Sequence, residues 1–227
     1  NETSTGVTSP VYRVEAPGAL TLVDSTSIAG AAPVDLTRVD AYYFSLQKAL
    51  GSDGGLWIVV LSPAAVERAR RIEDSADGRW VPQFLSLSAA IDNSRKDQTL
   101  NTPALATIVM AERQVRWLLE RGGMEAVSAH CAQTSSLIYD WAEANLAARP
   151  FVENPTWRSP VTATIEIDEA VSASELAAHL RARGIVDIGA YRGVGVNQLR
   201  IGTWPSVEIE DVEALLACID YCLERVL

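Results

Sequence analysis

The sequence predicts an α/β protein that is followed by a smaller α+β domain, and three observations lead to this fold class. Short apolar runs of strand length alternate with turns rich in Gly, Pro, Asp and Ser. Longer segments carry apolar residues at helical spacing behind a Ser-Pro or Thr-Pro start. A Pro-rich break, RPFVENPTWRSP, then separates this part from a second order of strand, helix, short strand, strand and helix.

The first part contains three candidate strands. The runs ALTLVDS (19–25), AYYFSLQ (41–47) and LWIVVLS (56–62) have the length of strands that are buried in a sheet. Gly, Pro, Asp and Ser lie between them and favour turns rather than helices. We therefore expect one sheet built from these three segments.

In the first part, two predicted helices have recognisable N-terminal capping signals, and one of them also has a C-terminal signal. After the third strand, Ser62 is expected to cap a helix whose first residue is Pro63, because proline lacks an N–H that the first turn would leave unpaired. Thr102 and Pro103 repeat this pattern before the apolar run ALATIVMAERQVRWLLE. The pair Gly122-Gly123 is expected to end that helix.

The remaining elements divide the chain into domains. A long helical pattern runs from Met124 to about Arg149. Beyond the break we expect a strand at 161–167, a helix at 173–184, the short strand IVDIG, the strand QLRIGTW and a terminal helix within VEIEDVEALLACIDYCLERVL. The predicted division is a first domain at 1–123, a connecting helix at 124–149 and a small C-terminal domain at 150–227, a size that domains commonly have.

Composition and charge exclude several classes of function. The chain has 227 residues and a net charge of −10, whereas a general nucleic-acid binder needs an excess of Lys and Arg to displace phosphate counterions. No apolar run reaches the roughly 18 residues of a membrane helix, so no membrane partner is expected. The three cysteines form no CxxC pair and no even disulfide framework, which predicts a cytoplasmic protein. The two histidines have no partner at metal-ligand spacing, so no metal site is expected.

Lys48 stands at the end of the second predicted strand and before three glycines, in QKALGSDGG. Desolvation of a lysine favours its neutral amine, which is the form that attacks a carbonyl to make a Schiff base. The alternative is a lysine that leaves the sheet and extends its ammonium into water. Asp24 ends the preceding strand in the same way, and the carboxyl ends of parallel strands form the crevice where α/β folds bind ligands. Asp24 could also be an ordinary turn or cap residue.

Five segments decide between these alternatives. NETSTGV, LVDSTSIAG, YYFSLQKALGSDGGLW, NTP and RGVGVNQLRIGTWPS together resemble the phosphoserine aminotransferases, in the class V branch of the fold type I pyridoxal phosphate enzymes. The likeness runs along the whole sequence in the family's order. It implies the C-terminal part of a large, mainly parallel-sheet domain followed by a small α+β domain. It also implies pyridoxal 5'-phosphate as cofactor and a homodimer with shared active sites.

The resemblance also assigns roles to particular residues. It makes Lys48 the catalytic residue that bonds to the cofactor, and it pairs Asp24 with the pyridinium nitrogen. Gln47 and Thr3 would bind the cofactor phosphate and the ring oxygen respectively. Asn101 and Thr102 would reach the phosphate of the neighbouring subunit's cofactor, and their place at a predicted helix start suits an anion. The ring-stacking aromatic and further phosphate donors of the family lie upstream of its NET motif, outside this sequence.

Two arginines bracket the glycine-rich turn in YRGVGVNQLRIG. Substrates with two anionic ends, such as glutamate and phosphohydroxypyruvate, need bidentate donors at both ends. Arg200 matches the family arginine that binds the α-carboxylate, and Arg192 would face the substrate phosphate or the distal carboxylate of glutamate. Tyr191-Arg192 replaces a His-Arg pair of the better-known bacterial pattern, and the spacing to the second arginine is longer by two residues.

The predicted reaction is the reversible transfer of an amino group from glutamate to 3-phosphohydroxypyruvate in serine biosynthesis. An alanine:glyoxylate-type aminotransferase of the same class is the alternative within the enzymes, although it would need a less anionic substrate pocket. A cysteine desulfurase is disfavoured because no Cys lies in a Gly-rich loop. The alternative from another class is a non-catalytic fragment that only dimerises, since a sheet without all its strands exposes edges and apolar faces.

Overall fold

The computed structural model describes residues 2–75, 79–192 and 197–225. Two three-stranded sheets and six helices form the described part of the chain. The strands are β1 Leu22–Asp24, β2 Ala41–Ser45, β3 Trp57–Leu61, β4 Ala148–Pro150, β5 Thr162–Ile167 and β6 Gln198–Gly202. The helices are α1 Pro63–Glu73, α2 Leu87–Ser94, α3 Leu105–Glu120, α4 Gly123–Ala144, α5 Ala173–Arg181 and α6 Ile209–Arg225, with short 3₁₀ helices at Leu36–Arg38, Gln83–Leu85 and Pro155–Trp157.

The first sheet has the order β1-β2-β3, and its three strands confirm the three predicted segments. β1 pairs with β2 in parallel, with Asp24 opposite Tyr43, whereas β2 and β3 form an antiparallel pair with Ser45 opposite Trp57. The carboxyl ends of β1 and β2 therefore lie at the same edge of the sheet. Asp24 ends β1 there, and the chain reaches Lys48 three residues after β2 ends.

The second sheet is antiparallel and has the order β4-β5-β6. β5 is the central strand, in which Thr164 lies opposite Arg200 of β6 and Glu166 lies opposite Arg149 of β4. The β5 residues are buried almost throughout, because α4, α5 and α6 pack with this sheet in one hydrophobic core. The strand predicted in IVDIG does not form, and this segment contributes one isolated bridge between Gly189 and Leu199.

Local signals placed some helix ends correctly. The Ser62 hydroxyl accepts a hydrogen bond from the amide of Ala65 at 3.1 Å, and Pro63 is the first residue of α1, as predicted. Gly122 has a φ of 102° between α3 and α4, which is a backbone conformation that favours glycine. The helix α2, capped by Ser86, was missed because its eight residues are too short for a clear periodicity.

Two predicted helix ends are wrong. α3 begins at Leu105 and not after Thr102, because the residue before a proline avoids helical backbone and Ala104 also stays non-helical, at φ −70° and ψ 88°. α4 ends at Ala144 and not near Arg149. Asn145 turns the chain into an extended conformation, and residues 148–150 then pair with β5 as strand β4.

A second hydrophobic core joins the segment after β2 to the helices and to the second sheet. Its buried residues include Leu46, Ala49 and Leu50 around Lys48, together with Cys131 of α4 and Val161 just before β5. The segment around Lys48 therefore packs against α4 and against the residue that precedes β5. Among the described residues, no helix combines the length and the apolar character that crossing a membrane requires.

Candidate active site

Lys48 lies in a tight turn directly beyond β2. Its carbonyl accepts a hydrogen bond from the amide of Gly51 at 2.8 Å, and the amide of Ser52 donates to the carbonyl of Leu46 at 2.9 Å. Gly51 has a φ of 61°, and a side chain there would also press on Gln114 of α3 at 3.3 Å. The glycine thus allows both the turn and the close approach of α3. Lys48 itself is half-buried between the buried residues 46 and 49–50.

An aromatic ring that follows the last strand of the second sheet approaches this amine. Lys48 Nζ lies 6.0 Å from the centroid of the Trp204 ring, at the outer limit of a cation–π contact. Trp204 follows β6, and a Cβ at Gly202 would lie 2.6 Å from its Nε1. Sequence reasoning did not single out this tryptophan among six. The glycine two residues before it, in RIGTW, is the one local signal that a ring lies close to the backbone.

Asp24 lies at the same sheet edge and is exposed. Its Oδ1 accepts hydrogen bonds from the amide of Thr26 at 2.9 Å and from the Thr26 hydroxyl at 2.6 Å. Asp24 therefore does cap the turn after β1 with one oxygen. These two hydrogen bonds confirm the interpretation of Asp24 as a turn residue. Its role toward the cofactor stays a prediction.

Residues 2–7 of the segment NETSTGV form a turn against the second sheet. The amide of Gly6 donates to the carbonyl of Thr3 at 3.0 Å, and the amide of Thr3 donates to the carbonyl of Val7 at 2.9 Å. Gly6 has a φ of 86°, and a Cβ there would lie 2.8 Å from the carbonyl oxygen of Thr162 in β5. Glycine is therefore required where the turn meets β5. The Thr3 side chain stays exposed, as a ligand-binding hydroxyl must.

Arg200 reaches this turn from β6. Its Nη1 donates to the carbonyl of Ser4 at 3.4 Å, and its guanidinium carbon lies 5.0 Å from the centroid of the Tyr191 ring. The half-buried arginine is thus held by a backbone oxygen and an aromatic face. Arg192 is exposed. The Gly-rich segment 193–196 lies outside the described residues.

The other predicted residues lie elsewhere. Asn101 and Thr102 are exposed and line a cavity of about 620 Å³ between β3, α2 and the segment before α3. Neither Lys48 nor Asp24 lines this cavity. Gln47 is exposed beside Lys48, and its side chain packs near Gly54 of the same loop.

The arrangement combines a half-buried lysine, a carboxylate at the same sheet edge and an arginine of the second sheet that contacts the Thr3–Gly6 turn. In the part of the chain that the structure describes, no group of three or more His, Cys, Asp or Glu side chains is placed to hold a metal ion. The amine can act on a carbonyl, and the arginine can bind a carboxylate.

Comparison with known proteins identifies the family. A sequence model of the aminotransferase class-V family matches residues 1–194. The chain belongs to this family. Among curated class V relatives, the phosphoserine aminotransferases of Rhodococcus jostii and Corynebacterium glutamicum are each 48% identical, over 226 and 225 residues. These matches cover 99% of this chain and 60% and 59% of the two relatives.

A solved phosphoserine aminotransferase from Cytophaga hutchinsonii superposes on this chain with a TM-score of 0.85 at 23% sequence identity. The match covers 100% of this chain and 62% of the solved protein. The fold is therefore the fold type I architecture of these aminotransferases, which confirms the predicted fold class. The chain spans about 60% of the length of the curated relatives it matches.

Proposed function

We propose that the protein, at the length of its class V relatives, is a phosphoserine aminotransferase that transfers an amino group reversibly between glutamate and 3-phosphohydroxypyruvate. The products are 2-oxoglutarate and O-phosphoserine. One observation carries the proposal: the parallel pair β1–β2 places Asp24 and the Lys48 turn at one sheet edge, and Arg200 reaches the neighbouring Thr3–Gly6 turn from β6. The curated relatives support the choice of substrate.

The residues at this edge fit pyridoxal 5'-phosphate by their chemistry. The cofactor needs an amine for its aldehyde, a carboxylate for its ring nitrogen and hydroxyl or amide donors for its oxygens. Lys48, Asp24, Thr3 and Gln47 supply these groups. When bound, the cofactor supplies an electron-withdrawing ring that acidifies the α-carbon of the amino acid.

In the proposed reaction each residue has one task. Lys48 would hold the cofactor aldehyde in the resting enzyme. Once the amino group of the substrate has displaced it, its free amine would take the proton from the substrate α-carbon. Asp24 would accept a hydrogen bond from the protonated ring nitrogen. Thr3 binds the ring oxygen and Gln47 the phosphate. These roles are carried over from the family's motifs.

The two arginines divide the substrate between them in this proposal. Arg200 binds the α-carboxylate, which every amino-acid substrate shares, and the contacts with Ser4 and Tyr191 reduce the freedom of its guanidinium. Arg192 binds the phosphate of phosphoserine or the distal carboxylate of glutamate. Its exposure leaves its five N–H donors accessible to an anion.

We further propose that the enzyme is a cytoplasmic homodimer in which Asn101 and Thr102 serve the partner's cofactor. α3 directly follows these residues and exposes apolar side chains at helical spacing, namely Leu105, Ile108, Val109, Val115 and Leu119. Such a row is typical of a helix face that another chain covers. The three cysteines are all free, which suits a reducing compartment. We keep the division at 1–123, 124–149 and 150–227 as a proposal, although strand β4 of the second sheet begins within its middle segment.

The proposal is tested by steady-state kinetics of the full-length holoenzyme. We expect phosphoserine with 2-oxoglutarate to be the preferred substrate pair, because two arginines match two anionic ends. Alanine with glyoxylate is the matched comparison, since it keeps the α-carboxylate and lacks the second anion. A higher kcat/KM for alanine and glyoxylate would replace the proposal with the alanine:glyoxylate alternative. A protein that dimerises without binding pyridoxal phosphate would support the non-catalytic alternative.

A further inference from the structure

Glu2 is a buried carboxyl group that the proposed reaction does not use. Its exposed fraction is 8%, and neither carboxylate oxygen has a hydrogen-bond partner among the described residues. Asp40 shows the usual arrangement. It is 2% exposed and accepts hydrogen bonds from the Thr21 amide at 2.9 Å, from the Ser62 hydroxyl at 2.9 Å and from Arg13. Because an unpaired buried carboxylate is costly, the position of Glu2 needs a reason of its own.

Three hydroxyl groups face Glu2, and they come from both sheets. Ser27 belongs to the turn after β1, whereas Ser159 and Thr162 lie before and at the start of β5. The Ser159 oxygen already accepts the amides of Val161 and Thr162 at 3.1 Å, so its proton is free to point toward Glu2. Burial raises the pKa of the Glu2 carboxyl, and the hydroxyls oppose this shift less strongly. A neutral, protonated carboxyl suits these surroundings.

The backbone around Glu2 is tied to the same region. Glu2 and Thr8 form an antiparallel bridge that closes the turn, the amide of Ser159 donates to the carbonyl of Gly6 at 2.9 Å, and the amide of Thr8 donates to the carbonyl of Trp157 at 2.8 Å. Within the described residues 2–8, Glu2 carries the one buried side chain, since the other buried residue is glycine. Glu2 is therefore the side chain that secures this turn in the interior.

The same turn carries groups of the candidate site. Thr3 follows Glu2 directly, and the carbonyl of Ser4 accepts the hydrogen bond from Arg200 Nη1. We propose that Glu2 is a positioning residue for substrate binding, which holds the turn 3–6 between the two sheets so that Ser4 keeps Arg200 oriented toward the α-carboxylate. The inference rests on the proposed function for the role of Arg200.

The test uses the full-length holoenzyme and glutarate, a dicarboxylate that cannot react because it has no amino group. We expect the dissociation constant of glutarate to rise roughly 10-fold in Glu2→Ala, which is the scale of one lost hydrogen bond to a charged group. Glu2→Gln, which keeps the size and cannot ionise, should stay within about 2-fold of the wild type. Hydrogen exchange at the amides of Thr3 and Gly6 should accelerate in Glu2→Ala and not in Glu2→Gln.

Two further variants keep the result decisive. Glu2→Asp shortens the side chain by one methylene and serves if Glu2→Ala does not fold, and it should weaken glutarate binding and accelerate the same amides. Asp40→Asn perturbs the other buried carboxyl and should leave the glutarate dissociation constant unchanged in the folded protein. Unchanged binding and exchange in both Glu2→Ala and Glu2→Asp would overturn the proposal, as would equal losses in Glu2→Gln and Glu2→Ala. A wild type that does not bind glutarate would refute the proposed substrate class, while the exchange rates would still decide whether Glu2 holds the turn.

Discussion

Lys48 Nζ and the Trp204 ring lie 6.0 Å apart, although one residue follows β2 and the other follows β6. The contact joins the candidate catalytic amine to the second sheet. It also joins the core that surrounds Lys48 to the end of the strand that carries Arg200, because Trp204 packs against that core. A change in the position of the second sheet would therefore alter the surroundings of the Lys48 amine.

Replacing Trp204 should change both stability and the reactivity of the lysine. Trp204→Ala removes a half-buried ring from the second core, so we expect a loss of about 2 to 3 kcal/mol in the free energy of unfolding. Acylation of Lys48 in the apoenzyme should become faster, because the ring no longer covers the amine. Exposed Lys96 is the internal reference, and Trp204→Phe should behave like the wild type in the acylation assay. Equal acylation of Lys48 in the alanine variant and the wild type would contradict this role.

Lys48 is expected to be the residue that bonds to the cofactor. Borohydride treatment of the full-length holoenzyme followed by peptide mapping should place the pyridoxyl group on Lys48, since it is half-buried at the sheet edge where β1 ends with Asp24. Lys96 is the other lysine of this sequence and is exposed after α2. Labelling of Lys96 in place of Lys48 would refute the assignment.

Asp24→Asn tests whether this carboxylate serves the cofactor in addition to capping the turn after β1. Asparagine keeps an Oδ1 acceptor for Thr26, so the turn and the free energy of unfolding should change by less than about 1 kcal/mol. The neutral amide cannot stabilise a protonated pyridine nitrogen, so the cofactor should bind more weakly and transamination should fall roughly 100-fold or more.

The control for this prediction is Thr26→Val, which removes the hydroxyl donor and leaves the carboxylate charged. It should lower stability slightly and retain most of the activity. Turnover close to that of the wild type in Asp24→Asn would mean that Asp24 only caps the turn after β1.

Replacing each of the two arginines by alanine is expected to reduce activity in a different way. Arg200→Ala should weaken both half-reactions by about 2 to 5 kcal/mol, as is typical for truncating one member of a desolvated charge pair. Arg192→Ala should reduce kcat/KM for phosphoserine and glutamate far more than for alanine, whose side chain has no charge to lose. Equal losses for phosphoserine and alanine would remove Arg192 from the specificity pocket and favour the alanine:glyoxylate alternative.

Two buried carboxyls should give opposite pH dependences of stability. Burial raises the pKa of Glu2 above its ordinary value of 4.5, so the folded protein binds this proton more tightly than the unfolded chain does. The wild type should therefore lose stability relative to Glu2→Gln as the pH rises above about 4.5 and through the raised pKa. At lower pH, where both states are protonated, the difference should vanish.

Asp40 is the matched control, because the hydrogen bond from the Thr21 amide is the largest cause that holds its pKa below the ordinary value of 3.8. Its contribution is present above that value and is lost as the pH falls through the lowered pKa. Asp40→Asn should thus be less stable than the wild type near neutral pH and approach it in acid. Urea unfolding of the three proteins at several pH values measures both effects, and parallel pH profiles for the two variants would contradict the assigned protonation states.

The sequence by itself determined the features that depend on near neighbours along the chain. The strand-length runs became β1, β2 and β3, Ser62-Pro63 began α1, and Gly122 lies where α3 gives way to α4, since caps, turns and periodicity act within a few residues. The order of the quoted motifs also indicated the class V family, which the comparison confirmed.

Only the tertiary structure decided which distant residues meet. β4 forms where a helix was expected, because β5 supplies its hydrogen-bonding partner. α3 is preceded by Ala104 and not by Thr102. The first turn of α3 accepts a hydrogen bond from the Ser52 hydroxyl of the Lys48 loop through the carbonyl of Thr107. The burial of Glu2 and the approach of Trp204 to Lys48 carry no local signature of comparable strength. Burial and contact between separate segments are set by how both sheets pack in three dimensions, and spacing along the chain does not contain that information.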